Sequence, residues 1–204
     1  MIKEIKFSNE GMVNCKGRFY TSRDIIQNHM QFNFSSGTNK LIGDIDSGIW
    51  GVSYLFSMYG IANIKDQHFS KPLLPIVDGR ETHISELSKR CCYLDEVEYP
   101  LFSSKRKSVK KLIEIGLKKS QHEQSLEKIC KTFLLDDERL EKPVYCVGNE
   151  RFRAMAAIGY AHGKEIFCFP WLSQKTLNYY GNNINWLLKS LEELNTIVIL
   201  PVGK

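Results

Sequence analysis

Residues 147–171 read VGNERFRAMAAIGYAHGKEIFCFPW. The stretch ERFRAMAAIGYAHG, residues 150–163, reads as a helix that stops at Gly163. Glycine is the favoured residue just past a helix C-terminus. EIFCF, residues 165–169, is short and apolar, as a buried strand of a parallel sheet is. The same alternation continues downstream. LNYYGNNINWLLKSLEEL, residues 177–194, has helical spacing, and NTIVILPVG, residues 195–203, is a second buried strand. Strands that alternate with helices predict a parallel sheet with helical crossovers.

Upstream, KSVKKLIEIGLKKS (107–120) and EQSLEKICKTFLL (123–135) carry apolar residues at helical spacing, with charges of both signs on their other faces. Between them and the helix at 150, DDERLEKPVYCVGNE (136–150) reads as a loop broken by Pro143. The first quarter reads as strands. MIKEIKFS (1–8) alternates, Gln31 to Phe34 forms a second strand closed by a turn at SSGTN (35–39), and Thr38 to Ile42 a third. In LLPIVDGRE (73–81) the Asp-Gly pair is a hairpin signal. Val52, Leu55, Phe56 and Tyr59 fall on one face of a helix that follows Gly48.

Composition narrows the class. The chain has 204 residues, 43% hydrophobic and 25% charged, which are ordinary values for a globular protein. No apolar run reaches the roughly 18–20 residues of a membrane span. The start, MIKEIKFSNE, lacks the apolar core of a signal peptide. The net charge of +5 supports no nucleic-acid partner, and the basic run at 103–111 reads as a solvated helix start. The six cysteines form no C-x-x-C pair, so reduced and mostly buried thiols are expected. Five histidines show no metal-ligand spacing, and no Ser–His–Asp or Cys–His pattern stands out.

Residues 43–50, GDIDSGIW, place two glycines at the spacing of a phosphate-binding P-loop, G-x-x-x-x-G-K-[ST], between a strand and a helix. Fourteen glycines in 204 residues give about one such pair by chance, so the setting carries more weight than the spacing. Ile49 stands at the lysine position and Trp50 at the hydroxyl position.

Read in order, these segments resemble the nucleotide-binding subunit of an ABC transporter along almost the whole chain. GRFYTSRDIIQNHMQFNFSSGTNKLIGDIDSG places Tyr20 where that family stacks an aromatic on adenine; a core aromatic on a strand is the alternative. LLPIVDGRETHISELSKRCCYL resembles the stretch leading to the Q-loop, whose glutamine position falls near Glu96. The run from Val147 to Trp171 resembles the signature motif, its helix and the Walker B strand, and NTIVILPVG resembles the strand that leads to the switch histidine. The resemblance implies an α/β fold with a P-loop NTPase-like core. It would have a mainly parallel sheet, a small antiparallel β part from the first ~90 residues and a helical lobe at about 104–163. Residues 1–204 would form one domain.

The departures from the family pattern concentrate on the chemistry. Ile49 and Trp50 replace the P-loop lysine and hydroxyl, and Asp44 and Asp46 add negative charge where a phosphate would lie. Gly43, Ile45, Ser47 and Gly48 complete the degenerate loop; its glycines and the capping hydroxyl of Ser47 are expected to keep its turn, with a helix from near Gly48. In the signature, Val147 and Asn149 replace the serine and the second glycine, while Gly148, Glu150, Arg151 and Arg153 fit. Arg151 and Arg153 read equally as an exposed helix start and as an interface. Walker B ends in Pro170 and Trp171 instead of two carboxylates, and no histidine follows the last strand. Trp50 is expected to pack near Pro170 and Trp171 as plain apolar filling.

The expectation is therefore a catalytically inactive ABC-type subunit with no cofactor, or with ATP bound weakly and not hydrolysed. Its partners would be a transporter membrane subunit, a second ABC ATPase subunit, or both, in a hetero-oligomer. Val147, Gly148, Asn149, Glu150 and Arg151 would face a partner, and the chain would lie in the cytoplasm, peripheral to the membrane. Residual or partner-dependent hydrolysis, an ATP-binding enzyme using other residues and a free-standing binding protein are the alternatives.

Overall fold

The structure, a computed structural model, describes residues 1–8, 13–16, 23–26, 30–44, 49, 51–58, 63–65, 74–94, 107–120 and 124–204. The strands and helices along the chain are β1 (Glu4–Ser8), β2 (Val13–Lys16), β3 (Arg23–Ile26), β4 (Gln31–Ser35), β5 (Gly37–Ile42), α1 (Gly51–Met58), β6 (Asn63–Lys65), β7 (Ile76–Val77), β8 (Arg80–Glu81), α2 (Ile84–Lys89) and β9 (Cys91–Tyr93). They continue with α3 (Val109–Ser120), α4 (Leu126–Thr132), α5 (Asp137–Leu140), α6 (Arg151–Ala161), β10 (Ile166–Cys168), α7 (Gln174–Glu193) and β11 (Ile197–Val202). Tyr59 and the loop residues 45–48 lie outside the described residues.

The expected parallel sheet is present, with strand order β5-β11-β10-β9 and every pairing parallel. It is covered on both faces, and the sequence shows why. Successive side chains of a strand point to opposite sides. In β10, Ile166 and Cys168 join a core with Val52, Leu55 and Phe56 of α1. Phe167 and Phe169 instead join a core with α6 and α7. β11 divides the same way, with Ile197 and Ile199 toward α1 and Val198, Leu200 and Val202 toward α6 and α7. Both strands are buried along their length. A large apolar side chain so buried contributes about 1.5–3 kcal/mol, so a polar replacement in either strand is costly.

Two antiparallel sheets come from the N-terminal part, in the orders β4-β1-β7-β8 and β3-β2-β6. Ile5, Phe7, Phe34 and Val77 of the first belong to the same core as α1. The Asp-Gly hairpin is present: Asp78 and Gly79 both have positive φ, 49° and 82°, as a type I′ turn requires. Asp78 Oδ1 accepts from the backbone N–H groups of Lys3 and Glu4, each at 2.9 Å, which fastens the turn to β1. Those two bonds hold its carboxyl below the usual range.

α6 is buried from Phe152 to Ala161. It runs between the sheet and α3, so it needs apolar surface all round, and its alanines and glycine permit the close approach. It ends as expected, with Gly163 at φ 73°. Three expectations are corrected. The segment read as a loop at 136–150 holds α5 and two short 3₁₀ turns, Val144–Cys146 and Gly148–Glu150. The cause is local: Asp136 caps α5 by accepting from the backbone N–H of Arg139 at 2.8 Å. The turn read at 35–39 is one bend at Ser36, after which Gly37 already pairs in β5. The helix after the glycine pair is described from Gly51, with Ile49 in a turn before it. α2 and β9 escaped the sequence reading because each is short, at six and three residues.

Candidate functional site

In an open parallel sheet with helices on both faces, ligands bind outside the carboxyl ends of the strands. Here those ends are Gly43 and Asp44 after β5, Gly203 after β11, Phe169 to Leu172 after β10 and Leu94 after β9. Gly43 is buried and its N–H donates to the Val202 carbonyl at 2.9 Å. Asp44 is exposed.

The chain leaving β10 crosses this edge. Phe169 N–H donates to Ile199 O at 2.9 Å and Leu172 N–H to Pro201 O at 3.1 Å. Gly203 N–H returns a bond to Leu172 O at 2.9 Å. Pro170, with no N–H to offer, and Trp171 lie between these anchors. The Trp171 indole Nε1–H donates to the Gly43 carbonyl at 3.0 Å. A methyl group placed on Gly203 would lie 3.0 Å from Trp171 Cζ2, so the ring presses on that residue too. One half-buried indole therefore joins the carboxyl ends of β5, β10 and β11. Behind it, Ser173 caps α7 by accepting from Thr176 N–H at 3.0 Å, and the Gln174 amide donates to Gly203 O at 2.9 Å.

The residues read as a signature sit at the start of α6. Val147 is 5% exposed and belongs to the core on the α6 side, so its side chain faces inward. Gly148 has φ 66° and is exposed together with Asn149. Arg153, read as exposed or interfacial, is instead buried, at 8% exposure. Its guanidinium meets Glu150 Oε1 at 2.8 Å, and Arg139 Nε of α5 lies 3.4 Å from Glu150 Oε2. Glu150 thus ties α5 to α6. Arg151 is partly exposed, its guanidinium 5.4 Å from the ring centre of Phe152. The signal for a buried Arg153 was its place inside an otherwise apolar helix.

Tyr20, Ile45, Asp46, Ser47, Gly48, Trp50 and Glu96 lie outside the described residues. The structure therefore brings together Gly43, Trp171 and Gly203 on one edge and Glu150, Arg153 and Arg139 in one network. The Trp171–Gly43 bond was not legible from the sequence, because an indole bond to a backbone carbonyl leaves no spacing pattern. Burial pushes Cys91 up, and it pushes Cys92 up to about 12. Cys91 and Cys168 are buried, while Cys146 is exposed.

No family model matches the chain, and no curated protein matches it. Solved structures do. A bacterial Atm1-family ABC exporter with ATP bound is similar over 100% of this chain, with 12% identity and a TM-score of 0.61; the chain spans 34% of the exporter's length. An ABC transporter ATP-binding protein from Pyrococcus furiosus is similar over 98% of this chain and 92% of its own, with 14% identity and a TM-score of 0.60. CbiO1 from Clostridium perfringens, part of the ABC transporter complex CbiONQ, is similar over 100% of this chain and 79% of its own, with 15% identity and a TM-score of 0.58. The fold is that of ABC transporter ATP-binding proteins, with a P-loop NTPase-like core. Among the described residues, no helix is long and apolar enough to cross a membrane.

Proposed function

We propose that this chain, folded as an ABC ATP-binding protein, is a catalytically silent subunit of that type. It serves as a structural or regulatory partner of a transporter membrane subunit or of an active ABC ATPase. The observation that carries the reading is the Trp171 indole bound to the Gly43 carbonyl at 3.0 Å, on the edge where an open α/β sheet binds its ligand.

A magnesium nucleotide needs oxygen ligands for the ion and positive charge for the phosphates. The described residues at the end of β10 do not fit that need. Phe169, Pro170, Trp171 and Leu172 offer no side-chain oxygen, and the indole has only a donor, already used. Asp44, exposed beside Gly43, opposes a phosphate. We therefore derive no hydrolytic step for this chain.

On this reading residues 1–204 act as one domain with a helical lobe at about 104–163, and residues 43–50 with Tyr20 form a degenerate cradle that holds nucleotide weakly or not at all. The exposed Gly148 and Asn149, with Arg151, supply the surface toward a partner in a hetero-oligomer. The chain works in the cytoplasm, held at the membrane through that partner, as CbiO1 is part of a transporter complex. Two measurements test this. The pure chain shows no magnesium-dependent ATP turnover, and it co-purifies with an ABC membrane subunit or an active ABC ATPase. Turnover abolished by Trp171→Ala or Asp44→Ala overturns the reading.

A further inference from the structure

α7 is a helix of 20 residues with two faces. Ile184, Leu187 and Leu191 are buried in the core, with Leu177 and Tyr180 packed against it, so the inner face is accounted for. An exposed face is expected to be polar. The outer face of α7 instead carries Tyr179 at 70% and Trp186 at 53% exposure. They belong to a stripe of exposed residues: Lys175, Tyr179, Asn182, Trp186, Lys189 and Glu193. The steps along it alternate four and three residues, the spacing of a helix–helix seam.

We infer that this stripe is a two-fold interface between copies of this chain, with the two α7 helices antiparallel. The stripe's charge order selects that occupant and that direction. Its N-terminal end carries Lys175, and its C-terminal end carries Glu193, with Glu192 beside it. Antiparallel pairing sets each Lys175 against the partner's C-terminal carboxylates, and each Tyr179 against the Lys189 end of the partner. Parallel pairing sets like charges together. A two-fold contact must be self-complementary, and this stripe is so only when reversed. Lys189 also shows the chemistry within one chain. Its Nζ lies 5.8 Å from the Trp186 ring centre and 4.0 Å from Glu193 Oε1, so the pair and the cation–ring contact are already half-formed at the seam. Tyr and Trp are enriched at interface cores, and the lysines and glutamates of the stripe suit a polar rim around them.

The helix is about 30 Å long and about 10 Å wide. A strip of that size falls below the roughly 800 Å² per partner of a stable complex, so the pairing is weak and concentration-dependent. The inference does not rest on the silent-subunit reading.

Sedimentation velocity on the full chain, from about 1 to about 300 μM, tests it. A reversible monomer–dimer equilibrium is expected. Trp186→Ala and Tyr179→Ala each raise the dissociation constant about tenfold or more while the melting temperature of the monomer stays put, because both side chains are exposed. Lys175→Glu weakens the dimer, and Lys175→Glu combined with Glu193→Lys restores it. A chain that stays monomeric throughout, a dimer indifferent to Trp186→Ala, or a charge exchange that fails to restore association overturns the inference.

Discussion

Trp171 and Gly43 are 128 positions apart in the chain, yet the indole N–H of one donates to the carbonyl of the other at 3.0 Å. That bond ties the strand β10 to the strand β5 at the end of the sheet where the fold binds ligands. Trp171→Phe keeps most of the ring and removes the bond, and it should cost about 1 kcal/mol of unfolding free energy. Trp171→Ala also removes a half-buried indole. Full burial would cost about 3–5 kcal/mol, so about 2 kcal/mol is expected here. Urea unfolding of the two variants checks both figures; equal losses would mean the ring, and not the bond, is idle.

Three glycines should respond with opposite signs. A methyl group at position 116 of α3 would meet the backbone of Ala161 at 2.8 Å and of His162 at 2.9 Å. At position 159 of α6 it would meet Cys92 Sγ at 2.5 Å. Gly116→Ala and Gly159→Ala should each destabilise by about 1–3 kcal/mol, since packed cores do not yield to added volume. Gly181 in α7 has nothing within 4 Å, and Gly181→Ala should stabilise by about 0.5–1 kcal/mol through helix propensity. Thermal unfolding of the three variants gives the signs directly.

Glu150 holds two arginines. Removing it leaves the Arg153 guanidinium buried at 8% exposure without its carboxylate, and Glu150→Ala should cost about 3 kcal/mol. Arg153→Met should cost less, because it removes the buried charge along with the pair. Unfolding data in which the order is reversed would show that the buried Arg153 guanidinium does not depend on Glu150.

The pH dependence of stability should contain a step from His162. Burial pushes its imidazole below the usual range; the Leu112 carbonyl pulls it up, and Lys119 and Lys164 push it down further. A base with a lowered folded pKa binds fewer protons folded than unfolded. Stability is therefore full above the ordinary histidine pKa of about 6.5 and is lost as pH falls from there toward the folded value. His162→Gln should flatten that step, as read by urea unfolding between about pH 5 and pH 7.5.

Much of the fold was legible because its signals are periodic. β10 and β11 stood out as apolar runs, α3 and α7 by their spacing, α6 by its stop at Gly163, and the β7–β8 turn by Asp78-Gly79. α5 was not legible, because its four residues, DERL, hold a turn by the Asp136 cap alone, with no period to read. The site was legible in part. Trp171 at the end of β10 could be read as an unusual residue in that place. Its partner could not, since Gly43 contributes only a backbone carbonyl. Arg153 misled because a charge near a helix start reads as solvated, whereas here Glu150 sits three residues before it and neutralises it inside the core.

The central claim is that the carboxyl edge of the parallel sheet is closed by Trp171 to a magnesium nucleotide. Isothermal titration of the pure chain with ATP and magnesium tests it most directly. No saturable heat is expected up to about 1 mM ATP, with or without magnesium. Stoichiometric, magnesium-dependent binding at about 10 μM or tighter would contradict the claim.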